Sequence, residues 1–153
     1  METRQTPAVT GRAAYPVLRP IPTRWMDNDH YGHVNNVTYY SYFDTAVNGW
    51  LMEATGTDIR EQPAIGIVAE TSCRFQKELS FPELVHAGLA IEKLGNSSVV
   101  YRIVLFRGDD EDPAAIGRFV HVYVDAATRR PVRVPDDVRA ALALLPRVEA
   151  GGP

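Results

Sequence analysis

Residues 24–50 read RWMDNDHYGHVNNVTYYSYFDTAVNGW, and this stretch joins a polar loop to the start of a long helix. From Val37 to Ala54 apolar side chains recur at helical spacing, which predicts an amphipathic helix. The side chain of Asn35 or Asn36 can accept from free N–H groups of the first turn, and Gly56 suits a left-handed C-cap. The predicted apolar face consists of Tyr40, Phe43, Val47, Trp50 and Leu51. Because the other sides also carry aromatic and apolar residues, we expect the helix to be buried nearly all round.

Four β-strands are predicted after this helix. Period-two alternation runs from Ala64 to Lys77, which is typical of a long strand. Further strands are predicted near residues 85–91, 99–107 and 116–124. A strand over Val17–Arg24 precedes the helix and contains two prolines, which place it at a sheet edge because proline donates no ladder hydrogen bond. Pro135–Leu145 is predicted to be a closing helix, with proline and acidic residues at its start.

This order of elements indicates an α+β domain in which one curled antiparallel sheet wraps around one long helix. A single sheet leaves one edge and part of the core uncovered, so we expect an oligomer. We expect a single domain over residues 17–146, flanked by a flexible arm at 1–16 and a flexible tail at 147–153.

Composition narrows the class of protein. The 153 residues are enough to bury a core without disulfides, and the net charge of −3 offers no basic footprint for nucleic acid. Cys73 is the only cysteine, which excludes an intrachain disulfide and fits a reducing compartment. The sequence shows neither a signal-peptide core nor an apolar run near the roughly 18 residues of a membrane span. We therefore expect a cytoplasmic protein with no nucleic-acid partner and no membrane span.

The loop between Asp27 and Asn36 is the candidate for carrying the chemistry. It holds two acids, two histidines and a glycine, and it leads directly into the predicted helix. The unpaired N–H groups at a helix start stabilise negative charge, and the helix dipole adds to them. A carboxylate a few residues upstream can attack a carbonyl held there, or activate water against it, as acyl transfer requires. A thioester is a suitable substrate for these few groups because a thiolate is a good leaving group.

Other interpretations of the same residues stay open. In one alternative, Asn35 and Asn36 do no more than cap the helix, and Asp27 and Asp29 do no more than stabilise a turn. His30 and His33 lie three residues apart and could join the two acids around a metal, but no distant ligand is evident, so no metal is expected.

Residues outside the loop give weaker signals. Cys73 lies in a strand among apolar neighbours, which favours a structural thiol over a nucleophile. His86 and His121 also fall in predicted strands, where we expect exposed or hydrogen-bonded side chains. The sequence has no Gly-x-Ser-x-Gly elbow and no nucleotide-binding glycine loop.

The run from Asp27 through Gly32-His33-Val34-Asn35-Asn36 to Tyr39, followed by Tyr42-Phe43-Asp44, resembles the 4-hydroxybenzoyl-CoA thioesterase-like branch of the hotdog superfamily. It is most similar to the bacterial acyl-CoA thioesterases of that branch. The resemblance implies a five-stranded sheet curled around the helix, and an acyl-CoA substrate with no further cofactor. It also implies homodimers joined through Ala64–Lys77, often paired into tetramers, with active sites at the dimer interface.

The resemblance also implies roles for individual residues. The catalytic aspartate falls on Asp29, and the helix-start N–H that polarises the thioester carbonyl falls on Asn36. The positions expected to bind or brace the substrate are Tyr31, Gly32, His33, Asn35 and Tyr39. Asp27 has a supporting role. Asp44 is a reserve candidate, because a distant hotdog branch places its catalytic acid on the helix.

Two other functions remain open at this stage. Hotdog dehydratases and hydratases also act on acyl thioesters, but they use a histidine with an acid and usually carry a proline- and glycine-rich motif that is missing before this helix. A non-catalytic acyl-CoA-binding protein is equally compatible with the fold, because fold alone does not determine function.

Overall fold

The computed structural model describes residues 11–149. The strands are β1 Leu18–Pro22, β2 Ala64–Phe75, β3 Leu84–Leu94, β4 Ser98–Arg107 and β5 Ala115–Asp125. They form one antiparallel sheet in the order β1-β3-β4-β5-β2. A long helix, α1, spans Asn36–Thr55, and a short helix, α2, spans Asp136–Leu142. The expected hotdog fold is therefore confirmed.

Helix α1 begins and ends where its capping residues predict. The Asn35 side chain accepts a 3.0 Å hydrogen bond from the Val37 N–H, and so caps the first turn. At the other end Gly56 adopts a φ of 71° and donates to the Met52 carbonyl, which is the left-handed C-cap expected of glycine. Both ends are fixed by local contacts, so they could be predicted from the sequence.

The buried face of α1 differs from the prediction. Its buried side chains are Tyr39, Tyr42, Phe43, Ala46, Val47, Trp50 and Leu51. Tyr40 is 36% exposed, and Ser41, Asp44 and Thr45 lie on the open side. The expectation of burial nearly all round is wrong for the single chain, because the sheet covers α1 from one side only.

The sheet approaches α1 closely at Gly117 on β5. A Cβ atom at this position would overlap the ring of Phe43, which is fully buried. Glycine therefore lets the middle of the helix lie directly against the sheet. This contact fixes how far the N-terminus of α1 stands from the strands.

The two edges of the sheet are β1 and β2. The proline-containing strand lies at an edge, as predicted. On β2 a bulge shifts the register between Val68 and Glu70 and leaves Ala69 without a partner on β5. The uninterrupted alternation expected along this strand is therefore wrong, because the bulge exchanges the residues that face the helix. Gly66 lies next to the buried His121 on one side of the bulge, whereas Cys73 packs against the core on the other.

The segments next to the termini are packed more tightly than expected. Tyr15 is buried and its ring packs at a tilt against that of Phe106, with centroids 6.1 Å apart, and Arg12 donates to the carbonyls of Gly108 and Asp110. Near the other end, the Val148 N–H donates to Ile91 on β3. Parts of residues 11–16 and 147–149 thus make defined contacts with the domain, and the rest of the predicted arm and tail lies outside the described residues. Between residues 11 and 149, no helix combines the length and apolar character needed to cross a membrane.

Candidate active site

A tight turn brings the chemically active residues of the loop together before α1. The Asp29 N–H donates to the His33 carbonyl at 2.8 Å, and the Gly32 N–H returns to the Asp29 carbonyl at 3.1 Å. Gly32 adopts a φ of 83°, a conformation that side-chain-bearing residues rarely take. A β-bridge between Asn28 and Val34 closes the base of the turn. The loop is therefore a defined structure that ends at the first residue of the helix.

Asp27 is the buried anchor of this loop. Its carboxylate accepts from the Tyr42 hydroxyl at 2.7 Å and from the backbone N–H and guanidinium of Arg24 at 2.9 Å each. Burial acts to raise the pKa of Asp27, but these hydrogen bonds outweigh it and hold the pKa below its usual range. A carboxylate enclosed in this way positions the loop and has no oxygen left to attack a substrate.

Asp29 has the opposite environment. It is exposed, and its Oδ1 accepts from the N–H groups of Tyr31 at 2.8 Å and His33 at 3.4 Å. No hydrogen bond to Oδ2 is found from any residue between 11 and 149. One oxygen therefore holds the side chain in place while the other faces outward.

A shallow pocket of about 250 Å³ lies at the N-terminus of α1. Its lining consists of His33, Val34, Asn36, Tyr39, Phe75, Gln76, Lys77 and Glu78. The backbone N–H of Asn36 belongs to the first helical turn, and no acceptor for it occurs within the described part of the chain. The pocket thus combines an open helix N-terminus with apolar and polar walls.

Aromatic rings form the floor of this pocket. Tyr39 is buried, and its ring meets that of Phe75 at 4.9 Å and 82°. Burial raises the pKa of Tyr39 to about 12, so the phenol stays neutral at physiological pH. Tyr39 and Asn36 lie on adjacent turns, which is why both reach the same pocket.

The second wall of the pocket was not predicted from the sequence. Ser80 donates from its hydroxyl to the Gly32 carbonyl at 2.8 Å, and the Val34 N–H donates to the Leu79 carbonyl at 2.7 Å. His33 Nε2 lies 3.1 Å from a carboxylate oxygen of Glu78. These contacts join segments more than 40 residues apart mainly through backbone groups, and such contacts leave no sequence motif.

The remaining predicted residues are not all gathered here. Tyr31 is 84% exposed at the tip of the loop, and neither it nor Asp29 lines the pocket. Asp44 lies eight residues beyond Asn36, about 12 Å along the helix axis, and accepts from the Asn48 amide. Over residues 11–149, no three histidine, cysteine, aspartate or glutamate side chains form a possible metal-ligand group.

Two strand histidines and Cys73 are further reactive side chains outside the loop. His86 Nδ1 lies 3.0 Å from the Gly108 carbonyl, as expected of a hydrogen-bonded histidine. His121 contradicts the same expectation, because it is 2% exposed and its Nδ1 has no partner among the described residues. Burial raises the pKa of the half-buried Cys73 to about 12, which disfavours the thiolate a nucleophile needs.

The chain is similar to known thioesterase-like proteins. The sequence profile described as the thioesterase-like superfamily matches residues 23–142. The PA5185 protein of Pseudomonas aeruginosa strain PAO1 is 47% identical, with 92% of this chain and 98% of that chain covered and a TM-score of 0.87. No curated protein matches.

Two further solved structures extend the similarity. The PA2801 protein of Pseudomonas aeruginosa, described as a candidate thioesterase, is 32% identical over 84% of this chain and 98% of that chain, with a TM-score of 0.77. A thioesterase from Thermus thermophilus, crystallised with coenzyme A and zinc, is 24% identical over 84% of this chain and 92% of that chain, with a TM-score of 0.71. At that identity the likeness to the Thermus protein concerns the fold alone.

Proposed function

Because the chain belongs to the thioesterase-like superfamily, we propose that it hydrolyses an acyl-coenzyme A thioester to the free acid and coenzyme A. The observation that supports this proposal is an exposed Asp29 carboxylate in the loop that leads directly into the open N-terminus of α1 at Asn36. One group can attack or activate water, and the other can hold the oxygen that becomes negative.

The reaction needs few groups. Asp29 takes a proton from water as the water oxygen bonds to the thioester carbon, or its carboxylate oxygen attacks that carbon directly. The carbonyl oxygen becomes an oxyanion, which the Asn36 N–H and the positive end of the 20-residue helix stabilise. The carbon–sulfur bond then breaks and the thiolate leaves with the electron pair. In the direct route this leaves a mixed anhydride on Asp29, which water hydrolyses to release the free acid and the Asp29 carboxylate.

The buried Asp27 serves this chemistry indirectly. The Asn35 N–H donates to the Asp27 carbonyl at 2.9 Å, and Tyr42 binds its carboxylate from the second turn of α1. The loop that carries Asp29 is thereby tied to the helix that carries Asn36. We propose that this tie keeps the two groups at a fixed separation.

The acyl carrier is proposed to be coenzyme A. The motif between Asp27 and Asp44 supports this choice through its resemblance to acyl-CoA thioesterases. The Thermus thioesterase, whose structure contains coenzyme A, has the same fold.

The proposed enzyme is a homodimer joined through β2. This edge strand has 12 residues, pairs only with β5 among the described strands, and contains no buried residue. Ile67, Val68 and Phe75 on it are each more than 40% exposed. A long edge with exposed apolar side chains favours pairing with a second copy, which would also cover the pocket beside Phe75.

The test is thiol release from short, long and aromatic acyl-CoAs, with enoyl-CoA hydration followed in parallel. The proposal predicts release from at least one acyl-CoA and no hydration. Hydration without thiol release would favour the dehydratase alternative. Tight binding of an acyl-CoA that remains intact would favour a non-catalytic binding protein, and either result would contradict the proposal.

A further inference from the structure

A histidine and a carboxylate meet on the wall of the Asn36 pocket. His33 Nε2 lies 3.1 Å from Oε1 of Glu78, and both residues line the pocket at the N-terminus of α1. Among residues 11–149, His33 is the only histidine that pairs with a carboxylate. The two side chains are 41% and 72% exposed, and a pair so exposed adds little to stability. Its place in the pocket points instead to a part in the reaction.

Backbone contacts fix the separation of the two residues. The Val34 N–H donates to the Leu79 carbonyl at 2.7 Å, which joins the residues that directly follow His33 and Glu78. The Arg107 guanidinium donates to the Glu78 carbonyl at 3.2 Å and so holds the other side of the pair. The imidazole and the carboxylate are therefore held at a defined separation before a substrate binds, as catalysis requires of its groups.

The contact with Glu78 determines which nitrogen of His33 is free. A carboxylate only accepts hydrogen bonds, so in the neutral ring the proton lies on Nε2, which donates to Glu78. Nδ1 then carries a lone pair and makes no hydrogen bond to any residue between 11 and 149. Water can reach it in this half-exposed side chain, whereas Nδ1 of His121 is enclosed. An imidazole oriented by a carboxylate, with one free basic nitrogen, is suited to act as a general base.

The same histidine contacts Asp29 through its backbone. The His33 N–H donates to Asp29 Oδ1 at 3.4 Å, and the Asp29 N–H donates to the His33 carbonyl at 2.8 Å. An acyl group bound to the Asp29 carboxylate therefore lies next to His33. If Asp29 attacks the thioester directly, its carboxylate is acylated when water must be activated, so it cannot be the base for that step. The direct route thus requires a second base.

We propose that His33, oriented by Glu78, is the general base that activates water against a mixed anhydride on Asp29. The proposal rests on the thioesterase function proposed above and assigns it the direct attack by Asp29. His33 is thereby a catalytic residue, and Glu78 is a positioning residue that acts through it.

The step balances as follows for atoms and electrons. A proton of water passes to His33 Nδ1 as the water oxygen bonds to the acyl carbon. The bond between that carbon and the Asp29 oxygen breaks, and its electron pair restores the Asp29 carboxylate. The imidazolium then gives its proton to the thiolate of coenzyme A or to solvent, which returns the enzyme to its starting state.

The test measures free thiol and free acid separately by rapid quench, with whichever of acetyl-CoA, decanoyl-CoA and benzoyl-CoA the wild type hydrolyses fastest. For His33→Gln we expect a burst of about one thiol per active site, because acylation of Asp29 does not need the imidazole. Free acid should show no burst, and kcat should fall by roughly 10²-fold or more, as for removal of a general base. The intact mass of the variant during turnover should include the acyl group.

His30→Gln is the matched control. His30 is an exposed histidine of the same loop and has no partner among the described residues, so this variant should match the wild type in both phases. His33→Asn repeats the test with a shorter amide, so that misfolding of one variant does not decide the outcome.

The role of Glu78 is tested by two substitutions. Glu78→Ala removes the acceptor for His33 Nε2, whereas Glu78→Gln keeps an oxygen that can accept the same hydrogen bond. We expect both variants to keep the thiol burst, and Glu78→Gln to retain more of the later turnover than Glu78→Ala. Equal losses in the two variants, or loss of the burst itself, would contradict a positioning role.

Two kinds of failure are distinguishable. Wild-type turnover in folded His33→Gln, or reduced turnover without a thiol burst, would overturn the role of His33 while the wild type remains a thioesterase. No thiol release from the wild type with any acyl-CoA would overturn the thioesterase function, and the role of His33 with it.

Discussion

The hydroxyl of Tyr42 donates a 2.7 Å hydrogen bond to Oδ2 of the buried Asp27 carboxylate, and so joins the loop that carries Asp29 to helix α1. We expect Tyr42→Phe to lower the free energy of unfolding by about 1.5–3 kcal/mol, because it removes a hydrogen bond to a buried charge. Urea unfolding at pH 7 measures this loss. Tyr40→Phe is the matched control, since Tyr40 is exposed and makes no hydrogen bond to a described residue, and it should change stability by less than about 0.5 kcal/mol. Equal effects of the two substitutions would contradict the role of Tyr42.

The same carboxylate makes stability depend on pH. The folded-state pKa of Asp27 lies below that of the unfolded chain, about 3.9. Its contribution is therefore present above the unfolded pKa and is lost as the pH falls through the folded one. We expect the stability difference between wild type and Asp27→Asn to shrink between pH 5 and pH 2, as measured by urea unfolding at each pH. A difference that stays constant over this range would show that Asp27 does not titrate as proposed.

Packing between α1 and β5 gives a third prediction. Gly117→Ala should destabilise the protein by about 1–3 kcal/mol, because the added methyl group overlaps the ring of Phe43. The double variant Gly117→Ala/Phe43→Leu should lose less stability than the two separate losses added together. Gly11→Ala has no atom within 4 Å of the new Cβ and serves as the control. Thermal unfolding of the four variants measures these effects, and additive losses would argue against the contact.

The edge of β2 gives a fourth prediction, on oligomeric state. Ile67→Glu places a charge on the exposed edge strand, and two-fold pairing through β2 would bring that charge into the interface. Light scattering after size exclusion should show the mass of two chains for wild type and of one for Ile67→Glu. Leu144→Glu introduces the same charge at another exposed apolar residue and should leave the mass unchanged. Loss of association in Leu144→Glu instead would place the interface elsewhere.

Much of the architecture could be predicted because its determinants are local. Asn35 and Gly56 act on the turns next to them, and the prolines of β1 act on their own backbone groups, so helix ends and an edge strand follow from short segments. The bulge at Ala69 could not be predicted, since it depends on how β2 pairs with β5.

Part of the candidate site could likewise be predicted from the sequence, and part could not. The loop from Asp27 to Asn36 is contiguous, so its residues could be named from the sequence. The contact of Ser80 with Gly32 and the isolation of His121 arise only when distant elements pack together. A histidine in a strand is usually exposed or hydrogen-bonded, and no neighbouring residue distinguishes His121 from that common case.

The catalytic assignment is tested most directly by kcat/KM for acyl-CoA hydrolysis in wild type, Asp29→Asn and Asp44→Asn. Asparagine keeps the Oδ1 that accepts from the Tyr31 N–H, so the loop should stay folded while the negative charge is lost. We expect a loss of roughly 10²–10⁴-fold in Asp29→Asn, as for removal of a general base, and of less than about tenfold in Asp44→Asn. Near-wild-type hydrolysis by folded Asp29→Asn would contradict the account, and a large loss confined to Asp44→Asn would place the catalytic acid on the helix.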